Sequence, residues 1–472
     1  MAIAFGTEGW RAIIGEDFTV DNVCQVAQAI AEHFLSTRSR RGKPLTMAVG
    51  HDTRFLSDRV AQIVCEVLGA NGIRSCLSDR PIPTSAVSRY VVEHRLAGGV
   101  VITASHNPPS YNGIKVKEPF GGSAIQETIA SIEQRIGRHR IKRLPVQHAR
   151  KQGLIRQANM LPAFVKGIRA TVDLAAIRRS RLRVLVDAMH GTANGLIEQF
   201  VKGGRCQVQT LHALPDPLFG GQVPEPIPIH LRELASTLRR RRGDVGLATD
   251  GDADRLGVLA PNGKFLNPGQ ILCILLEHLI TTRNWRGAVV KTVSNTSMID
   301  RLAEGFGLKL LEVPVGFKHI VKLMREDEVL IGGEESGGIG IRGYLPERDG
   351  ILMGLLVLEA MAIQGRGILD LLRDLERRFG RWFYARLDLS VPTDQALRFF
   401  ERLRRQPPTA AAGIPVVEVK TLDGVKLIGQ DESWLLFRHS GTEPIVRVYA
   451  ESPVGRRVSR LLDFGVQLIK AS

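Results

Sequence analysis

The chain has little with which to build covalent cross-links, thiolate metal centres or stacking surfaces. Its 472 residues include five cysteines, Cys24, Cys65, Cys76, Cys206 and Cys273. They are odd in number and scattered, and never form Cys-x-x-Cys, which argues against a disulfide framework or a cysteine zinc site. A reducing cytoplasm is the expected location. Aromatic residues make up 6% of the chain, a thin supply of platforms for single-stranded nucleic acid. Long apolar runs are missing too. The longest mostly apolar stretch, Ile351 to Ile363, is interrupted by Glu359 and has the length of one buried helix, short of the ~20 residues that cross a bilayer. The opening MAIAFGTEGW lacks the basic and apolar regions of a secretory signal. No Walker A pattern occurs, which argues against a nucleotide phosphate donor of that class. Acidic charge is in deficit: 48 Asp and Glu face 64 Lys and Arg, a net charge of +16. Basic residues concentrate in 138–183 and 239–242, without interleaved aromatics or a nucleic-acid module. The expectation is therefore solvated helix faces and a field that attracts anionic small molecules, with no nucleic-acid and no membrane partner.

What is present is ample material for a globular α/β protein. Hydrophobic residues at 44% and charged residues at 24% match folded chains, and the length suggests roughly three or four domains. Three stretches repeat one pattern of apolar strand, polar loop, amphipathic helix, turn and strand: 45–77, 182–211 and 287–313. Each places its polar loop at a strand's carboxyl end, where α/β sheets bind ligands. The remainder reads as a smaller α+β domain: strand 382–391, helix 393–405, an Asp423-Gly424 hairpin turn and a last helix near 458–469. The expected fold is three similar mixed α/β domains plus a C-terminal α+β domain, with boundaries at 1–145, 146–255, 256–375 and 376–472.

Four loops carry the chemistry. TASHNPPSYNGIKV, 103–116, presents the Ser105 hydroxyl on a proline-stiffened loop with His106 beside it and Lys115 ten residues on. A rigidly held serine suits covalent phosphoryl transfer, although Asn-Pro and Asn-Gly also make ordinary turns. ATDGDADRLG sets Asp250, Asp252 and Asp254 at alternate positions directly after a strand. Three carboxylates so close repel one another unless a cation lies between them, and hard oxygen ligands favour magnesium. An EF-hand is excluded because Arg255 and Pro261 stand where that loop needs glycine and glutamate. GGEESGGIG, 332–340, offers Glu334 and Ser336 for sugar hydroxyls, or is a flexible turn. GIGIRG, 338–343, matches a dinucleotide fingerprint, but Tyr344-Leu345-Pro346 follows it and no helix opens there. RHSGTEPIVRVYAE, 438–451, gathers Arg438, Ser440, Gly441 and Thr442, a combination that binds phosphate or makes a hairpin turn.

In this order the four loops, together with the opening GTEGWRAIIGEDFT, closely resemble the α-D-phosphohexomutase family, the phosphoglucomutases and phosphomannomutases. The resemblance covers nearly the whole chain. It implies four domains around a central cleft, with Ser105 as the phosphoserine and Asp250, Asp252 and Asp254 holding Mg²⁺ together with an oxygen of that phosphoserine. Arg11, Lys115 and Arg255 would be charged active-site residues, Glu334 and Ser336 would read the sugar, and Arg438, Ser440, Gly441 and Thr442 would clamp the non-reacting phosphate. The implied substrates are hexose phosphates, with glucose 1,6-bisphosphate as intermediate or activator. Lys115 and His106 are the nearest acid–base candidates, and Lys115 would need a lowered pKa to act as base. GEESGG is closer to glucose-preferring members than to the GEMSGH or GEQSGH of dual-specificity and glucosamine enzymes. VGFK, 315–318, resembles the glucose version of its segment, with Lys318 near phosphate or the proton transfer. Gly338 stands where many bacterial relatives have histidine, which sets mannose and glucosamine in doubt. The same loops would serve a glucose 1,6-bisphosphate synthase or a phosphomannomutase, and the remote alternative is a basic, non-enzymatic binding protein.

Overall fold

A computed structural model describes residues 3–6, 8–37, 44–439 and 445–471. The three repeated stretches each form a parallel strand–helix–strand unit: Thr46–His51 with Arg74–Ser78, Arg183–Asp187 with Gln207–Leu211, and Ala288–Thr292 with Leu310–Val313. The first strand of each pair is buried almost from end to end, because helices cover both faces of the sheet there. Each sheet also has an element that the repeat did not announce, a strand that leaves the loop antiparallel to the one that entered it. Gly98–Ile102 returns as Tyr111–Lys117, Val245–Thr249 as Leu256–Leu259, and Val329–Gly333 as Ile339–Ile341. The serine, aspartate and glutamate loops are thus hairpin tips at equivalent corners of three mixed sheets.

Between the sheets lies one continuous core shared by the first three units. Its centre is the helix Gly350–Gln364, buried from Gly350 to Met361. That explains why Ile351–Ile363 carries no helical stripe: apolar neighbours surround it. Its Asp349 cap accepts from the Leu352 N–H, and Gly365 ends it at φ 60°, a left-handed turn that glycine adopts without strain. The fourth unit has its own core, a six-stranded sheet packed by Thr393–Arg405 and Gly455–Lys470.

The expected boundaries need correction. Strand Ile155–Ala158 extends the first sheet beside Arg74–Ser78, past the expected break at 145. Leu256–Leu259 and Phe265–Leu266 complete the second sheet beyond 255, and helix Ile368–Phe379 runs through 375. Arginine-rich stretches have the composition of linkers, but their charge marks exposed faces of elements that continue through them.

Candidate active site

Ser105 follows strand Gly98–Ile102 and sits at φ 53°, a left-handed conformation costly for a residue with a Cβ. Its neighbours hold it there. The Ser105 N–H donates to Thr103 Oγ1 at 2.8 Å. The Arg54 guanidinium spans the loop, donating to the carbonyls of Ser105, Asn107, Pro108 and Tyr111 at 2.6, 2.7, 2.8 and 3.0 Å. Asp52 pairs with Arg54 from below at 3.2 Å, and Phe219 of the second unit lies under the guanidinium, 4.9 Å away. So fixed, Ser105 donates its Oγ hydrogen to Asp250 Oδ2 at 2.6 Å across the boundary between the first two units.

Asp250, Asp252 and Asp254 are fully buried, and one oxygen of each lies within 4.8 Å of the others. Asp250 Oδ1 accepts from the N–H groups of Asp254 and Arg255, both at 3.0 Å, which folds the loop back on itself. Asp252 Oδ2 accepts from Thr84 Oγ1 at 2.5 Å and from Lys115 Nζ at 2.7 Å. Asp254 Oδ2 accepts from Lys115 Nζ at 2.7 Å and from Arg348 at 2.6 Å. The remaining oxygens of Asp252 and Asp254, both Oδ1, are buried without a hydrogen-bond partner among the described residues. Two orphaned carboxylate oxygens beside a third carboxylate and a serine hydroxyl form an all-oxygen donor set suited to a divalent cation such as magnesium. Burial and the charges of Asp254 and Asp252 push the Asp250 carboxyl well above the usual range. Burial also works against ionisation of Asp252, but Lys115 and the Thr84 hydroxyl together outweigh it and the carboxyl lies below its ordinary value.

Lys115 departs from expectation. Burial opposes its charge, but Asp252, Asp254 and Glu8 more than compensate, and its ammonium is raised rather than lowered. As arranged it is the counter-ion of the aspartates and not a free base. Burial and the charges of Arg255, Arg11 and Lys115 drive the neighbouring His106 the other way, far below the usual imidazole value.

Several members of the site are not singled out in the sequence, although Glu8 lies within the opening GTEGWR segment. Glu8 pairs with Lys115 at 3.2 Å and with Arg348, whose guanidinium also holds Asp254 and, at 3.0 Å, Glu334. The charges of Arg348 and Lys115 overcome burial and hold the Glu8 carboxyl down at about 2. Arg348 is hidden in YLPERDG, a stretch whose only message in the sequence is that no dinucleotide helix begins there. Thr84 and Arg54 carry no local signal beyond a polar residue near a strand end.

A cavity of about 440 Å³ opens from this cluster. Arg11, His106, Arg255, Lys318, Glu334, Ser336 and Arg438 all line it, joined by the unanticipated Arg386 and Arg447 of the fourth unit. Arg11 donates to Asn107 Oδ1 at 2.7 Å, Arg255 faces Glu225 at 3.7 Å, and Lys318 donates to Gln126 at 2.6 Å. Glu334 accepts from the Gly316 N–H at 3.1 Å as well as from Arg348. Arg438 is fixed by Asp423 Oδ2 at 2.7 Å, and that same oxygen accepts from the Val315 N–H at 2.8 Å, joining the third and fourth units. Ser440, Gly441 and Thr442 lie outside the described residues.

A serine hydroxyl closed onto a buried carboxylate triad, at the inner end of a cation-lined cleft between four units, defines a phosphoryl-transfer enzyme. Models of the phosphoglucomutase/phosphomannomutase α/β/α domains I, II and III match residues 2–142, 162–263 and 267–379, and the C-terminal domain of that family matches 401–466. A phosphoglucomutase of Komagataeibacter xylinus is 31% identical over 95% of this chain and 87% of its own length. A phosphoglucosamine/phosphogalactosamine mutase of Sulfurisphaera tokodaii is 29% identical over 96% of each chain. The crystal structure of a Thermus thermophilus protein, provisionally named a phosphomannomutase, superimposes with a TM-score of 0.88 at 34% identity, covering 100% of this chain and 99% of that one. The chain belongs to the phosphoglucomutase/phosphomannomutase family, enzymes of intramolecular phosphoryl transfer.

Proposed function

We propose that the chain interconverts glucose 1-phosphate and glucose 6-phosphate, with Ser105 as the phosphoryl carrier and glucose 1,6-bisphosphate as the bound intermediate. The observation that carries this reading is the 2.6 Å contact of Ser105 Oγ with Asp250 at the head of the cationic cleft. Phospho-Ser105 passes its phosphoryl group to the free hydroxyl of the sugar monophosphate: the Ser105 O–P bond breaks, a sugar O–P bond forms, and the hydroxyl proton leaves to a base. The bisphosphate then turns, and its other phosphoryl group returns to Ser105. The rigid loop keeps the serine oxygen in line, and Arg11, Arg255 and Arg348 face the charge that moves. Arg438, Arg386 and Arg447 suit the phosphate that is not reacting. Asp250, Asp252 and Asp254 would hold Mg²⁺, which when bound neutralises charge on the transferred group.

Glucose is favoured by the GEESGG loop, whose Gly338 packs against Arg348. A Cβ there would stand 2.1 Å from Arg348 Cδ, so a side chain at 338 and the present position of Arg348 exclude one another. The five cysteines are free and buried, consistent with a cytoplasmic location.

The test is a panel of glucose, mannose and glucosamine 1-phosphates, run with and without chelator, alongside intact-mass measurement of the purified protein. Fastest turnover of glucose 1-phosphate, loss on chelation with recovery in Mg²⁺, and a mass increment of one phosphoryl group at Ser105 are the expected results. Faster turnover of mannose or glucosamine 1-phosphate would overturn the glucose assignment. Net release of glucose 1,6-bisphosphate with negligible mutase turnover would overturn the mutase assignment itself.

A further inference from the structure

The cleft leaves most of the chain's positive charge unexplained, and part of it is gathered at a place remote from the cleft. In the second sheet Arg183 lies beside Gln207, and Val184 beside Val245, in parallel register. The segments that enter these strands, 178–183, 202–207 and 239–244, therefore meet at one edge. Main-chain bonds tie them together: the Arg205 N–H reaches the Arg178 carbonyl at 2.6 Å, Gln207 reaches Leu182 at 2.8 Å, and Asp244 reaches Arg183 at 2.7 Å. Within these three segments are nine arginines, Lys202 and a single carboxylate, Asp244, a net +9 of the chain's +16. Every one of the ten cations except the half-buried Arg178 is exposed. Among the described residues only Arg183 has a carboxylate partner, Asp244 at 3.5 Å.

This edge is opposite the aspartate loop. Asp244 and Asp250 bracket strand Val245–Thr249, and six steps of extended chain separate them by roughly 20 Å. That exceeds the ~8 Å over which exposed charge acts at physiological salt, so the patch does little to draw substrate into the cleft.

We propose that this arginine edge binds the phosphate backbone of double-stranded nucleic acid without reading its sequence. Guanidinium groups match phosphate oxygens in pairs, and nine of the ten cations are arginine. Several other partners draw on features these segments lack. Protein interfaces pair their arginine anchors with aromatic ones, inserted membrane-bound surfaces bury apolar side chains, and single strands stack on aromatic rings. The three segments contain no aromatic residue, and no large hydrophobic residue in them is exposed. Duplex backbone, a regular row of phosphates with its bases turned inward, asks only for charge. The sequence-based expectation of no nucleic-acid partner followed from the lack of stacking platforms, which concerns single strands, and from the lack of a nucleic-acid module, which sequence-independent backbone binding does not need.

The test is fluorescence anisotropy of a random-sequence duplex of about 20 base pairs titrated with the full-length protein at several salt concentrations. Affinity should fall steeply with salt. Replacing Arg239, Arg240, Arg241 and Arg242 together by glutamine should weaken binding at least about tenfold and flatten the slope of log K against log salt by up to roughly four units, at ~0.9 per contact. Mutase turnover should stay at the wild-type level. A second variant, Arg179→Gln with Arg181→Gln and Arg205→Gln, gives an independent reading if the first folds poorly. Saturating glucose 1,6-bisphosphate should leave duplex binding unchanged, which separates this edge from the cationic cleft. Displacement of the duplex by bisphosphate, wild-type binding in both variants, or stronger binding to phosphatidylserine vesicles than to duplex at equal phosphate would overturn the proposal.

Discussion

At the reacting end of the cleft, Ser105, the three aspartates, Lys115 and Arg348 are buried and hold one another across three units. The fourth unit reaches the same cavity differently, with arginines on an antiparallel sheet. Asp423 and Asp388, their partners at 2.7 and 2.6 Å, belong to that unit itself. The first arrangement fixes geometry, since a buried charge with several partners cannot move without leaving another unpaired. The second tolerates movement, because its arginines carry their counter-ions with them. Under the proposed mechanism, in which either of two phosphates is presented to one serine, both are needed: a stationary point of transfer and a mobile hold on the remainder of the ligand.

Substitutions can break this contrast. Ser105→Ala should lower mutase turnover by roughly 10³-fold or more while leaving the melting temperature near that of wild type, since the hydroxyl makes the bond and not the fold; steady-state kinetics and thermal denaturation check both halves. Arg348→Gln should injure both. It leaves Glu8, Asp254 and Glu334 short of their shared cation, at a cost of about 3–5 kcal/mol, and turnover should fall by roughly 10²-fold. Equal stability of this variant and wild type in urea would show that the network is not the weld described above. At the far end, Asp423→Asn should raise KM for the sugar phosphate several-fold with kcat within about twofold, because it loosens Arg438 and the Val315 tie without touching the serine. A fall in kcat alone would erase the distinction between the two ends.

A separate prediction concerns the seat of the fourth unit. Lys426 donates to the Val293 carbonyl of the third unit at 2.7 Å and lies over the Trp434 ring. Burial, then the Lys291 ammonium, push its pKa down to about 8. Unfolding returns it to about 10.4, so between these values the unfolded chain binds more protons and stability rises with pH. Below about 8 both states are protonated and the penalty is constant. Urea denaturation from pH 8 to 10 should show this rise, at most about 3 kcal/mol, in the wild type and not in Lys426→Met.

What the sequence disclosed and what it withheld divide along the same physical line. The Ser105 loop, the aspartates at 250, 252 and 254 and the glutamate loop are contiguous, and their spacing is visible in one line of residues. The hairpin returns are not, because a strand pairs with its partner's backbone and leaves only a short apolar run as trace. Glu8, Thr84 and Arg348 become neighbours of the aspartates only through tertiary packing, 340 residues separating Glu8 from Arg348. Lys115 belongs to the site as its motif implies, but the direction of its pKa depends on how many carboxylates surround it, which spacing alone does not give. The boundaries fail where exposed arginines share the composition of linkers.

The tie of Glu8 and Asp254 to Arg348 also has a temporal meaning. It joins the first, second and third units through side chains 340 and 94 positions apart from their partner, so no nascent chain shorter than 348 residues contains it. Chain collapse and the separate sheets can come earlier, since their contacts are more local. The knot closes only once those three units have docked. Activity that depends on this tie reports the docking of three units and not the formation of any one sheet.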